Sequence, residues 1–486
     1  MSFLLTKYLK RWVMVLHCLP SILFVANCIP NLEKAPHDQI MDIRFMLCQT
    51  NQISCKAGSS DLSINYSGSP FIFTTGESIS SITPTVTGTP TSYATAPALP
   101  DGLFINAATG VITGTPREIV TGKDYTITAS NASASANAVI RISTKLPSPC
   151  TDLTINAGSG TVGDPFVICN PDQLQSVTTH HITNPNSYYQ ISRDLDLSSI
   201  NFNSIGSTAN PFTGNFDGQG HTLFNLTMNH PGVSEVAFIG NSGILIQVKN
   251  IHFRNVTAIG SGYVAVLGGN VQIDAQNIHV IQGNIQSDAP YSGGLIARMS
   301  GSSSAVSDSS FQGTIQNTTD YAAGLVGFNF GGNRVVRSFA KADITGVENV
   351  GGITGRSASS TTENCYFIGT LSGGNYMGGV IGRSQLSSDV IINSYAVGSV
   401  LSIGATKGGL VGVITTPVTN SYYNVDVANQ SDNDTRGTPR TTAQMTCATT
   451  PNDSCAGVPI YNGWDTAIWD LGTSTEYPKL KWQNNL

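Results

Sequence analysis

The sequence predicts an all-β protein, a β-sandwich followed by a β-solenoid, and three observations carry that expectation. Charged residues make up only 11% of the chain, and 50 glycines with long Ser, Thr and Asn tracts stand in their place; an average soluble protein carries about 25% charge. Gly takes positive φ freely and Asn and Ser bond their own backbone, so this composition suits turn-rich β structure. Short apolar segments alternate with turn residues from 61 to 146, and helical apolar periodicity is hard to find beyond residue 60. After them, two sequence landmarks return at a nearly constant interval. A chain of 486 residues exceeds one ordinary core and leaves room for two or three domains.

Residues 1–27 read as a signal peptide. Lys7, Lys10 and Arg11 precede an apolar run from Trp12 to Ala26, shorter than the about 20 apolar residues that span a bilayer core. The run ends in Phe24-Val25-Ala26-Asn27-Cys28, which resembles a bacterial lipoprotein box. The resemblance implies cleavage before Cys28, acylation of its thiol, and a membrane-anchored lipoprotein at the outer membrane or cell surface. The alternative is an ordinary secretory signal with an incidental cysteine. Residues 28–60 then read as a lipid-anchored tether.

Residues 61–146 read as a compact sandwich, with strands expected around Phe71-Ile72-Phe73, Leu103-Phe104-Ile105, Tyr125-Thr126-Ile127 and Val139 to Ile142. Pro100-Asp101-Gly102 makes a turn, Ala108-Thr109-Gly110 turns the chain into Val111-Ile112, and Gly114-Thr115-Pro116 closes the strand. The string LPDGLFINAATGVITGTP resembles an immunoglobulin-like family common in bacterial surface proteins, which implies a spacer or adhesive module.

Residues 147–440 hold the repeat. VAFIG, VAVLG, GGLIA, AGLVG, GGITG, GGVIG and GGLVG begin at 236, 264, 293, 323, 351, 378 and 408, spaced by 27 to 30 residues. A second landmark (NIHF, NIHV, DSSF, RSFA, NCYF, NSYA, NSYY) follows each after 12 to 15 residues. A fixed period with two phased landmarks is a solenoid signature. Its third position is always apolar (Phe238, Val266, Leu295, Leu325, Ile353, Val380, Leu410), as an inner column stacked about 4.8 Å apart requires. Strict alternation would send the fourth position outward, yet it is apolar in six copies. The fifth-position Gly is expected to turn a corner, and Asn250, Asn277, Asn364, Asn393 and Asn420 to form an amide ladder at a turn.

GGLVG at 408 and NSYAVG at 393 resemble the GLUG repeat, and DPFVICNPDQLQSV to FTGNFDGQGHTLFNLTM resembles the segment that leads into such domains. The resemblance implies a right-handed parallel β-helix in secreted or surface-attached bacterial proteins. Residues 438–482 resemble the closing segment, and residues 441–486 are expected as the C-terminal cap, with Trp464, Trp469 and Trp482 an apolar plug over the last coil, since an open solenoid end exposes unpaired strands.

Export implies an oxidising compartment, so Cys48 with Cys55, Cys150 with Cys169, and Cys447 with Cys455 are disulfide candidates, leaving Cys365 unpaired and inert. No cofactor or metal site is expected: thiol pairs at zinc spacing are missing, and no histidine begins the HExxH of the zinc peptidases found among GLUG-repeat proteins. Asp194, Asp196 and Asp217 are the carboxylates a polysaccharide hydrolase would need, with His221 nearby, but strand and turn chemistry explains them. His252 and His279 share a column with Phe339, Tyr366, Tyr395 and Tyr422, which points to an aromatic ladder. A net charge of −6 without a basic stripe sets nucleic acid aside. No catalytic residue is assigned, and the expected function is non-enzymatic adhesion or display toward host or cell-surface proteins or glycans. The alternative is a carbohydrate-active enzyme, hydrolase or lyase, with a groove on the β-helix.

Overall fold

The computed structural model describes residues 62–145, 152–415, 418–430, 434–472 and 475–485. Cys28, Cys48, Cys55 and Cys150 lie outside them. The chain divides into two units.

The first unit is an immunoglobulin-like sandwich. Ser92–Ala96, Lys123–Ser130, Ser135–Lys145 and Phe71–Thr74 form a four-stranded sheet, and two strand pairs, Ser63–Asn65 with Thr85–Thr87 and Leu103–Ile105 with Ile112–Gly114, complete it. Alternation along the strands sends Tyr93, Tyr125, Ile127, Ile140 and Ile142 into the core with Ile64, Leu103 and Ile112. The Ala108-Thr109-Gly110 turn is held by Asn106, whose Oδ1 accepts the Ala108 and Thr109 amides at 2.9 and 3.1 Å. Gly110 is required: its φ is +73°, and a Cβ there would stand 2.6 Å from the Tyr93 ring.

The second unit is a parallel β-helix. Each regular coil contributes four short strands, for example Glu348–Gly351, Thr354–Ala358, Thr361–Glu363 and Tyr366–Gly373, each paired in parallel with its counterpart one coil away. The strands that lead into the seven landmark copies form one seven-stranded sheet.

Both the third and the fourth landmark positions are fully buried, and all but Thr354 belong to one continuous hydrophobic core. The strand breaks between Gly351 and Thr354, so the alternation of a single strand does not apply and both side chains turn inward at the corner. The fifth-position Gly does not turn a corner, because it lies inside the next strand without positive φ. A Cβ on Gly355 would meet the Asn349 and Gly327 carbonyls at 2.6 Å, so the position needs Gly for close backbone approach. In the last five copies the second position is Gly because the opposite wall fills the space. Phe311, Ala340, Phe367, Ala396 and Tyr423 succeed one another up that wall, and a Cβ on Gly352 would lie 2.2 Å from the Phe367 ring.

The Asn column is set by backbone conformation more than by amide bonding. Asn250, Asn277, Asp308, Arg337, Asn364, Asn393 and Asn420 all have φ between +44° and +57°, a region Asn tolerates better than most residues. The ladder itself runs for two links, Asn277 to Asn250 at 2.9 Å and Asn250 to Asp217 at 3.1 Å. An Arg337–Asp308 ion pair at 2.6 Å then replaces it. The next residue is Ser in four of the seven coils and builds an internal hydroxyl ladder there: Ser338 Oγ accepts the Ser309 amide, Ser394 Oγ the Cys365 amide and Ser421 Oγ the Ser394 amide, at 3.0–3.1 Å.

Both ends are closed. Helix α1 (Pro171–Thr183) is capped by Asn170, whose side chain accepts the Gln173 amide at 2.8 Å, and buries Leu174 and Val177 against the core. Its start signal, Asn170-Pro171-Asp172, stands in the sequence, but the all-β reading passed over it. At the other end Thr438–Arg440 pairs on Tyr422–Asn424, and Val425 and Ala428 pack under the last coil. Residues 441–472 and 475–485 meet that end at Thr442, whose amide donates to Asp426 Oδ2 at 2.7 Å and whose hydroxyl accepts from Asn424 Nδ2 at 2.8 Å. Their tryptophans run back along the flank of the solenoid in a second, separate core, so that of the three expected over the last coil Trp464 alone bonds to it, at Asn420, while Trp469 and Trp482 bond to Asn364 and Arg337 of earlier coils.

Candidate functional site

Two outward ladders of rings climb the solenoid. The first is the column of His252, His279, Ser310, Phe339, Tyr366, Tyr395 and Tyr422. Parallel pairing fixes its spacing: Phe339 and Tyr366 stack at 4.8 Å and 5°, Tyr366 and Tyr395 at 5.0 Å and 8°. The C-terminal strap covers it. Trp464 Nε1 donates to the Asn420 carbonyl at 2.9 Å, Trp469 Nε1 to Asn364 Oδ1 at 3.0 Å and Trp482 Nε1 to the Arg337 carbonyl at 2.9 Å, so the three indoles land on the left-handed column. Ser310 leaves the column one ring short, and Trp482 supplies it, stacking on His279 at 4.9 Å and Phe339 at 5.7 Å.

The second ladder stands on the corner that carries the glycine landmarks, and among the described residues no tryptophan covers it. Tyr263, Tyr291 and Tyr321 stack at 5.1 and 4.8 Å, Asn349 interrupts them, and Tyr376 follows one coil further. All four rings are half-buried. Beside them Asn270, Arg298, Phe328, Arg356 and Arg383 form one register column. Arg356 lies over Tyr321 at 5.6 Å and Phe328 at 5.2 Å, donates to Tyr321 Oη at 2.8 Å, and reaches Gln385 Oε1 through Nε at 2.8 Å and through Nη2. Arg383 lies over Tyr376 at 4.8 Å. Burial and the neighbouring tyrosines hold the Tyr291 hydroxyl above its ordinary range, while Arg298 and Arg356 pull the other way. The ladder was missed in the sequence, although Tyr291, Tyr321 and Tyr376 each stand two residues before a landmark and Arg298, Arg356 and Arg383 each stand just after one.

The three sequence-selected carboxylates hold rungs and turns. Asp217 accepts the Gln219 amide at 2.9 Å and is the bottom rung of the amide ladder, with Lys249 Nζ at 3.6 Å. Asp196 accepts the Ser198 amide at 3.0 Å and Asn225 Nδ2 at 2.9 Å, and Asn225 in turn accepts from Asn255. Asp194 accepts the Thr222 amide at 2.9 Å and faces His221 Nδ1 at 3.3 Å; that histidine contact holds its carboxyl below the usual range. His252 and His279 lie 5.2 Å apart, and His279 is tied to Ser310 and Asn277 at 3.0 and 2.8 Å. Burial and then His252 push the His279 pKa down to about 3. Cys365 is free and buried, its thiol pushed up to about 12 by desolvation, and it bonds the Glu363 carbonyl at 3.3 Å. Cys447 and Cys455 are joined by a disulfide inside the strap, and Cys169 is disulfide-bonded.

Residues 55–145 match the family model described as "Putative Ig domain". Halomucin of Haloquadratum walsbyi is 32% identical over 162 residues, 32% of this chain and 2% of that protein. A "Putative Gly-rich membrane protein" of Evansella cellulosilytica is 37% identical over 129 residues, 24% of this chain and 14% of that protein. The chain thus spans a small fraction of the relatives it matches. A solved structure described as a putative immunoglobulin A1 protease from Bacteroides ovatus aligns over 68% of this chain and 96% of its own, at 20% identity and a TM-score of 0.47.

Proposed function

We propose that this chain is an exported, lipid-anchored surface protein, built on GLUG-type repeats, that displays its solenoid as a non-enzymatic binding face toward host or cell-surface proteins or glycans. One observation carries the reading: the carboxylates Asp194, Asp196 and Asp217 are bound into rungs and turns, whereas among the described residues Arg298 and Arg383 of the half-exposed Tyr–Arg flank donate no hydrogen bond. A relative named a membrane protein supports association with a membrane. The competing reading is a glycan-cleaving enzyme, and the Asp194–His221 contact is the observation on its side.

Fractionation and surface protease shaving of cells expressing the chain and its Cys28→Ser variant test the anchor. The expected result is a shaved, membrane-bound protein that Cys28→Ser releases; a protein shielded from protease contradicts surface display. A glycan and host-protein array with product analysis tests the activity, and any cleaved glycan transfers the case to the enzyme reading.

A further inference from the structure

We infer that the Tyr–Arg flank binds a linear polyuronate, a polysaccharide with one carboxylate per sugar; the inference rests on the surface-binding reading above. In a chain of net charge −6, three guanidinium groups gather in one column, with only Phe328 between Arg298 and Arg356. A guanidinium carries five N–H donors in a planar fork that grips a carboxylate through two bonds at once. Among the described residues Arg298 and Arg383 donate no hydrogen bond; Arg298 Nε is itself buried, so the terminal nitrogens of that fork are the ones left to meet a ligand. None of the three makes an ion pair with a described residue, although Asp320 and Glu348 stand in the adjoining strand column. Arg356 uses its Nε and one N–H from each terminal nitrogen on Tyr321 and Gln385, which fixes the fork and leaves two donors free.

Charge alone suits any polyanion; spacing and rings narrow the choice. Coils repeat about every 4.8 Å, close to the rise of an extended pyranose chain, so successive sugars pass successive coils. One cation per coil at most matches one carboxylate per sugar, and falls short of the denser charge of a heavily sulfated chain. Tyrosine edges with their hydroxyls, and the rings of Phe328 and Phe330, offer apolar contact to sugar C–H groups and hydrogen bonds to their hydroxyls.

The test titrates the full-length chain with sodium polygalacturonate, heparin and dextran by calorimetry at low and high salt, with the polysaccharide sized afterwards. Polygalacturonate is expected to bind saturably, in a salt-sensitive way, and to be recovered intact, with dextran inert. Arg356→Gln and Arg383→Gln each weaken binding about tenfold, the effect of one charge-assisted hydrogen-bonded pair. Arg383→Lys, which keeps the charge and loses the fork, recovers part of the loss. Arg334→Gln, on another strand column and paired with Glu363, changes nothing. Melting curves confirm that each variant is folded. Failure to bind polygalacturonate, tighter binding of heparin, or binding indifferent to both arginines overturns the inference and leaves surface binding standing. Cleavage of polygalacturonate overturns the surface-binding reading itself.

Discussion

The covered and open ladders of the solenoid share one spacing and have different fates. Phe339, Tyr366 and Tyr395 stack at 4.8–5.0 Å under the strap, and Tyr291 and Tyr321 stack at 4.8 Å with no strap above them. Parallel strands impose that distance on any like residues in register, so the stack alone says nothing about use. The neighbours do. Where a ring is missing at Ser310, the chain inserts its own Trp482; where one is missing at Asn349, Arg356 lies over the ring of Tyr321. One ladder is closed by apolar contact within the chain, and the other is edged by cations.

The strongest way to break the comparison is to destroy the coil both ladders depend on. Gly352→Val places side-chain atoms within 2.0–2.2 Å of the Gly379 carbonyl and the Phe367 ring, and overpacking a filled core costs about 1–3 kcal/mol or more; circular dichroism should show loss of the cooperative β transition. Trp469→Ala acts on the covered ladder alone. Removing this fully buried indole should cost about 3–5 kcal/mol in denaturant titrations and open residues 441–485 to protease, while the open flank keeps its ligand.

Acid sharpens the contrast. His279 is held neutral in the fold with its pKa near 3, so between that value and its unfolded 6.5 the unfolded chain binds a proton the folded chain refuses. Its contribution is therefore intact above pH about 6.5 and is lost as pH falls toward 3, by about 2 kcal/mol at pH 5. His279→Phe, which continues the aromatic column, should remove that share of the pH dependence; an unchanged stability–pH curve would refute the assignment. The smallest effect is expected on the open side. Tyr321→Ala removes a half-exposed ring and one bond to Arg356 and should cost about 1 kcal/mol, while weakening polygalacturonate binding. A loss as large as that of Trp469→Ala would show that the open ladder is also structural.

The period, the inner column and the His–aromatic column were legible because each obeys one rule, apolar or planar residues recurring at the coil length. The fourth position was not, since whether Ile381 points in or out depends on a strand break that no alternation rule locates. Gly355 and Gly382 looked like corner residues because Gly at a corner and Gly at a close approach leave the same letter in the sequence. Trp464, Trp469 and Trp482 announced burial correctly; which surface they bury is a tertiary fact, decided by the ladder they meet. The Tyr–Arg flank required reading the positions around each landmark and not only within it.

A stack of coils joined only to their neighbours should fray from an end, one rung at a time. The strap changes that order of events, because it is bonded to Asn420, Asn364 and Arg337 and stacked on His279. Stitched across successive turns, it ties their loss together: the last coils cannot peel away singly until the stitch is undone, so this stretch of the helix should melt as one block.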